Sequence, residues 1–231
     1  MFSFKGVLTG LLLGSLSLGA NALVMQEFEQ APAADGYGNL SDYYPGAQVA
    51  DNFQFSNDVT LKQITWWGSY DGSPFSTELF TVRIFADNGA GSPETSALFE
   101  TNFSGSGGSA GGLVDAFGAS VFSYDVAVSW ALTGGQDYYL SVFNNDDPVD
   151  PADPANDWYW LESAVGDTTG WSRIADVDSW SDFNPDDVNM SFHLTAEPVV
   201  TGNVPEPSPL VLVALFSLYL LRARKRGRSL D

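Results

Sequence analysis

The sequence predicts an all-β fold, an antiparallel β-sandwich of the jelly-roll kind, carried between an N-terminal signal peptide and a C-terminal single membrane helix. Three observations lead there. Several segments alternate apolar and polar residues with a period of two, as half-buried strands do. Clusters of Asn, Asp, Gly and Pro separate those segments, and such clusters are turns. No stretch of the body shows a 3.6-residue apolar period, so eight or more one-faced strands must bury their apolar sides against each other as two sheets. The 231 residues suffice for one domain of ordinary size with a real core. With no cysteine and one histidine, disulfides, thiolate metal sites, Cys nucleophiles and nearly all His-based catalysis are excluded.

Residues 1–22 read as a signal peptide. Lys5 gives the positive start, Val7 to Leu18 the apolar run, and Ala20-Asn21-Ala22 the small-x-small cleavage site. That run is shorter than a membrane span and is interrupted by Gly10 and Gly14. The β-domain is then expected over 23–198, with a linker and tail over 199–231. A strand fits near 23–29, and Phe53 and Phe55 alternate with Asn52, Gln54 and Ser56 in the next. Strands also fit near 59–70, 137–143 and 157–162. Phe80, Val82, Ile84 and Ala86 form one apolar stripe. Phe122, Tyr124, Val126, Val128 and Trp130 form a second, and Val188, Met190, Phe192 and Leu194 a third. His193 falls on the polar side of that last strand and reads as a surface residue.

Two loops stand apart. Ser104 to Gly112 is nearly all Gly and Ser, and Gly105, Gly107 and Ala110 formally fit a dinucleotide fingerprint. That fingerprint needs a following helix N-terminus. A β-stripe follows instead, so a flexible hairpin loop is expected. The second loop repeats an Asp-Pro unit at Asp147, Asp150 and Asp153. Proline at every third position favours polyproline II, which lines the three carboxylates along one edge. With Asn144, Asn145, Asp146, Asn156 and Asp157 beside them they offer enough oxygens for calcium, though without the ordered spacing of an EF-hand. A rigid, solvated acidic loop is the preferred reading of this segment, with calcium binding as the alternative.

Seven tryptophans serve either the core or a sugar-binding surface, where a ring packs on the apolar sugar face while carboxylates and amides take the hydroxyls. Most are expected inside. Trp158, Trp171 and Trp180, set among Ser, Thr and Asp, are the candidates for carbohydrate. No pair of carboxylates stands out as a glycosidase dyad, and no catalytic residue is expected.

The C-terminus has a three-part order: Pro205-Glu206-Pro207, an apolar run from Leu210 to Leu221, and the basic residues Arg222, Arg224, Lys225, Arg226 and Arg228. An apolar run closed by bases is a stop-transfer signal. Twelve residues of helix reach about 18 Å, short of a ~30 Å bilayer core, which suits a transient anchor. This order resembles the PEP-CTERM sorting signal of exported bacterial proteins. The resemblance implies that Pro205, Glu206 and Pro207 are read by a membrane-embedded sorting protease of the exosortase type. The protein would pass from the inner membrane to the cell surface or matrix of a Gram-negative-type bacterium that makes exopolysaccharide. Val49 to Phe53, Trp66-Trp67-Gly68 and Phe85 to Asn88 also resemble a recurrent, uncharacterised β-domain of PEP-CTERM proteins.

Charge adds to this. Residues 23–206 hold 28 of the 29 acidic side chains and only Lys62, Arg83 and Arg173 as bases, a net charge of −25. Nucleic acid is therefore not a partner. The expected function is that of an exported, non-enzymatic surface or matrix protein. The alternatives are a carbohydrate-binding module, calcium-assisted or not, that engages extracellular polysaccharide, and, less favoured, a glycoside-active enzyme.

Overall fold

The computed structural model describes residues 24–43, 46–72, 74, 78–145, 157–183 and 188–200. The chain divides into two units, Met1–Pro198 and Val199–Asp231, and every strand among the described residues lies in the first. The expected signal peptide and C-terminal helix lie outside the described residues. Among the described residues there is no helix, and fourteen strands form two antiparallel sheets.

The first sheet is organised on β4 (Val59–Tyr70). Along one edge of β4 runs β14 (Phe192–Pro198), followed outward by β1 (Gln26–Gln30). Where β14 stops, β10 (Trp158–Ser163) takes over the end of β4, and β2 (Gly38–Leu40) and β13 (Asn189–Met190) pair with β10. Along the other edge runs β8 (Ser120–Leu132), then β7 (Gly108–Val114). In the second sheet the order is β12 (Ser181–Asp182), β11 (Gly170–Arg173), β3 (Gln48–Gln54), β9 (Asp137–Asn144), β5 (Glu78–Ala86) and β6 (Phe99–Gly105).

The alternating stripes become the core. Phe80 of β5 meets Trp66 of β4 at 5.6 Å and Trp158 of β10 at 4.9 Å between ring centres, and Phe53 of β3 meets Phe192 of β14 at 6.2 Å. Such tilted ring pairs join the sheets across a shared apolar layer. β4 buries Leu61, Ile64 and Trp66, a spacing of three and then two. Its pairing with β8 shifts between Leu61 and Gln63, so a bulge restores the side on which the later residues point.

Three expectations need correction. Ser104 to Gly112 is not a flexible hairpin loop. β6 belongs to the second sheet and β7 to the first, so the glycine-rich run carries the chain from one sheet to the other. Gly107 sits at that corner because a Cβ there would lie 2.6 Å from the Tyr124 ring. The last stripe is broken into β13 and β14, and its polar-side Asn189 and Ser191 are buried. Finally, β5 also buries a ring on its other side: Phe85 joins Ala50, Tyr139 and Trp180 in a second, outer cluster.

Candidate functional site

The site begins with a turn. Asp115 is buried, and its Oδ1 accepts the backbone N–H groups of Phe117 (2.9 Å) and Ala119 (2.8 Å). Its Oδ2 accepts the Ser69 hydroxyl at 2.7 Å, which ties the turn to β4. An Asp side chain closing its own turn in this way is an Asx turn. The turn is also fixed to the N-terminal segment, since Ala116 N–H donates to the Gly36 carbonyl at 2.9 Å. The consequence is that Phe117 is held outward, 82% exposed, with its ring edge-on to Tyr37 at 5.8 Å. Tyr37 is itself 59% exposed.

β2 and β10 supply the rest. Gly38 follows Tyr37, and a Cβ at Gly38 would fall 2.6 Å from the Cβ of Tyr159, so only glycine lets the two backbones approach. Tyr159 pairs with Ser69 across the ladder and shares its outward face. Together Tyr37, Gly38, Tyr70, Asp71, Tyr159 and the 115–119 turn line an open pocket of about 680 Å³. This is the size at which small ligands are held.

The electrostatics are one-sided. Burial, then the carboxylates of Asp157, Asp71 and Asp42, push the Tyr159 phenol above its usual range. It therefore stays protonated and able to donate. Asp71 is exposed at the end of β4, and its N–H donates to the Asp157 carbonyl at 3.2 Å. Asp115 is different: three donors already occupy its carboxylate, so it positions the turn.

Tyr70 links the pocket to a buried polar network. Its hydroxyl donates to Glu78 Oε1 at 2.7 Å and accepts from Asn144 Nδ2 at 2.8 Å. Tyr124 donates to the same Glu78 oxygen at 2.5 Å, and Gly107 N–H donates to Glu78 Oε2 at 2.7 Å. Burial first, and then the surrounding network, pushes both phenols far above their usual range, so each remains a donor. A buried carboxylate with three donors is a satisfied one, and it pins the start of β5 to the ends of β4 and β8.

The tryptophans proposed from sequence are elsewhere. Trp158 points into the core and is fully buried against Phe80. Trp180 is buried in the outer cluster, where its Nε1–H donates to the Glu94 carbonyl at 3.0 Å and the Arg173 guanidinium lies 4.4 Å from its ring centre. Trp171 is half-buried, edge-on to Tyr139 at 6.4 Å. Neither buried ring can stack on a ligand, and the structure brings none of the three to the pocket. Large flat rings win core positions because they bury the most area. Asp147, Asp150 and Asp153 lie outside the described residues, as do Pro205, Glu206, Pro207, Arg222, Arg224, Lys225, Arg226 and Arg228. Among the described residues, no group of three or more His, Cys, Asp or Glu side chains is arranged to hold a metal.

The pocket aromatics were available to a different sequence signal. Tyr37 stands between Gly36 and Gly38, and Phe117 stands inside the turn of Asp115 and Gly118. An aromatic ring within a turn, outside any alternating stripe, has no core position to fill. No curated protein matches this chain. Residues 26–107, which hold Tyr37, Gly38, Tyr70 and Asp71 but not Phe117 or Tyr159, are similar to a domain of unknown function, DUF7901.

Proposed function

We propose that this is an exported, non-enzymatic surface protein whose β-sandwich binds extracellular polysaccharide through the pocket around Tyr37, Phe117, Tyr159 and Asp71. The observation that carries this reading is the exposure of the Tyr37–Phe117 pair on the rim of a 680 Å³ pocket. A turn built to hold a phenylalanine in water gains nothing for folding, whereas a sugar ring gains an apolar face to rest on. Tyr159 and Asp71 then meet hydroxyl groups as donor and acceptor. Binding is favoured over hydrolysis because one of the two lining carboxylates, Asp115, is already filled by three hydrogen bonds. A glycosidase needs two free ones.

The strand order supports the jelly-roll subtype. Taken in chain order, β1, β3, β4, β5, β6, β8, β9 and β14 are eight principal strands. They lie as first, eighth, third, sixth in one sheet and second, seventh, fourth, fifth in the other, the order of two interlocked Greek keys. Export and sorting rest on the two termini, with the exosortase-type protease and the inner membrane as transient partners. Calcium at Asp147, Asp150 and Asp153 belongs to the same proposal as an accessory. Glycan-array binding of the exported protein tests the reading. Retention of one glycan class, lost in Phe117→Ala and Tyr37→Ala at unchanged melting temperature, supports it. Binding that survives both changes overturns it.

A further inference from the structure

The pocket contains carboxylates and no base. Asp71 is exposed on its wall, Asp115 lies in its turn, and Asp157 meets the backbone of Asp71. The three basic side chains of the body are all engaged elsewhere. Lys62 pairs with Glu197 at 2.9 Å, Arg83 with Glu100 at 2.7 Å and with Asp176, and Arg173 with Asp176 at 3.2 Å. Both arginines lie on the second sheet, where Arg173 packs on the outer rings of Phe85 and Trp180. No cation among the described residues offsets Asp71. The same field is felt at Tyr159, whose phenol is shifted by Asp157, Asp71 and Asp42 after burial itself.

An anionic sugar placed here would meet uncompensated negative charge, with a net −25 on the body behind it. A ligand that brings its own positive charge gains twice. It pairs with Asp71, and it can lie against the electron-rich ring faces of Tyr37 and Phe117. We propose that the pocket selects a polysaccharide unit with a free amine, the ammonium held by Asp71 and the sugar's apolar face on the Tyr37–Phe117 pair, and that it rejects uronic acids. This rests on the glycan-binding reading above and names its ligand class.

The test is calorimetric titration of the full-length exported protein in detergent at physiological ionic strength and pH 5.5, where the glucosamine amine is protonated. The probes are the β-1,4-linked glucosamine tetramer, its fully N-acetylated counterpart, a galacturonic acid tetramer and tetralysine. The glucosamine tetramer should bind about fivefold more tightly than the acetylated one, the size of one partly exposed ion pair. Asp71→Asn keeps an oxygen that accepts from a hydroxyl but loses the charge, so the two sugars should bind that variant with equal affinity, whatever the change in the acetylated tetramer. Phe117→Ala should weaken both sugars without changing tetralysine. Equal or tighter binding of the acetylated or uronic tetramer overturns the amine selection while leaving glycan binding intact. Glucosamine binding that matches tetralysine and ignores Phe117→Ala is adhesion of a polycation to an acidic surface, and it overturns the site. Absence of binding by every sugar overturns both readings.

Discussion

Asp115 and Phe117 are two residues apart and do opposite jobs. The carboxylate of Asp115 is buried and accepts three hydrogen bonds, while the ring of Phe117 is in water. Replacing Asp115 by Asn puts an NH₂ group where an acceptor is needed, so a donor now faces either a backbone N–H or the Ser69 hydroxyl. The expected loss of stability is about 1–3 kcal/mol, with glycan affinity falling because the turn no longer fixes Phe117. Removing the Phe117 ring should change stability by no more than about 0.5 kcal/mol, the range of an exposed substitution. Urea denaturation of both variants separates the two roles. If Phe117→Ala proves as destabilising as Asp115→Asn, the ring is structural and the pocket reading fails.

At the scale of elements, the outer face of the second sheet shows how few charges can organise a long connection. The connection between β11 and β12 places Trp180 edge-on against Phe85 at 5.2 Å, in the outer cluster with Tyr139 and Ala50. Asp176 holds this connection down. Its carboxylate accepts from Arg83 Nη1 (2.5 Å), Gln48 Nε2 (2.8 Å) and Arg173 Nη2 (3.2 Å), and its carbonyl accepts from Arg173 Nη1 (3.2 Å). The Arg83 hydrogen bond holds the Asp176 carboxyl below its usual range, against the opposing effect of partial burial. A carboxyl lowered in the folded state contributes stability that is present above its unfolded pKa of about 3.9 and lost as pH falls through the folded value. Wild type should therefore melt above Asp176→Asn at pH 6, and the gap should close as pH falls below about 4. A gap independent of pH would mean that shape rather than charge secures the connection.

For the whole molecule, the division at Pro198 and Val199 separates the strand-bearing unit from the tail. Every strand pairing among the described residues lies within the first unit, so removal of residues 201–231 should leave the melting temperature of the sandwich unchanged. The same tail is expected to direct processing and surface export. Two of the three backbone nitrogens in Pro205-Glu206-Pro207 cannot donate a hydrogen bond. Glu206→Ala, or neutralising Arg222, Arg224, Lys225, Arg226 and Arg228, should block size reduction and surface fractionation in the native host. Normal processing of the Glu206 variant, or of wild type in a host lacking the sorting protease, would refute the address.

The sequence alone determined the all-β class and the places of those long strands that alternate, because side-chain alternation is a local consequence of the pleat; β6 and β7 were not among them. Phe80, Val82 and Ile84, and Val188, Met190, Phe192 and Leu194, could be assigned to a buried face without knowing what lay opposite. Short strands such as β2, β11 and β12 carry no such period and exist only because a neighbour offers an edge. The glycine-rich run was misread for the same reason: its glycines answer to the Tyr124 ring and the Glu78 carboxylate, groups that only folding brings near. The assembly of the pocket lies on this second side, although the turn positions of Tyr37 and Phe117 can be read from the sequence. Tyr37, Asp71, Phe117 and Tyr159 come from four separate segments, and β2 pairing with β10, with the Asp115 turn fastened to Ser69, puts them on one surface. Composition counts the carboxylates and aromatics; which ring stayed in water was decided by local anchoring, as the Asp115 turn holds Phe117 outward.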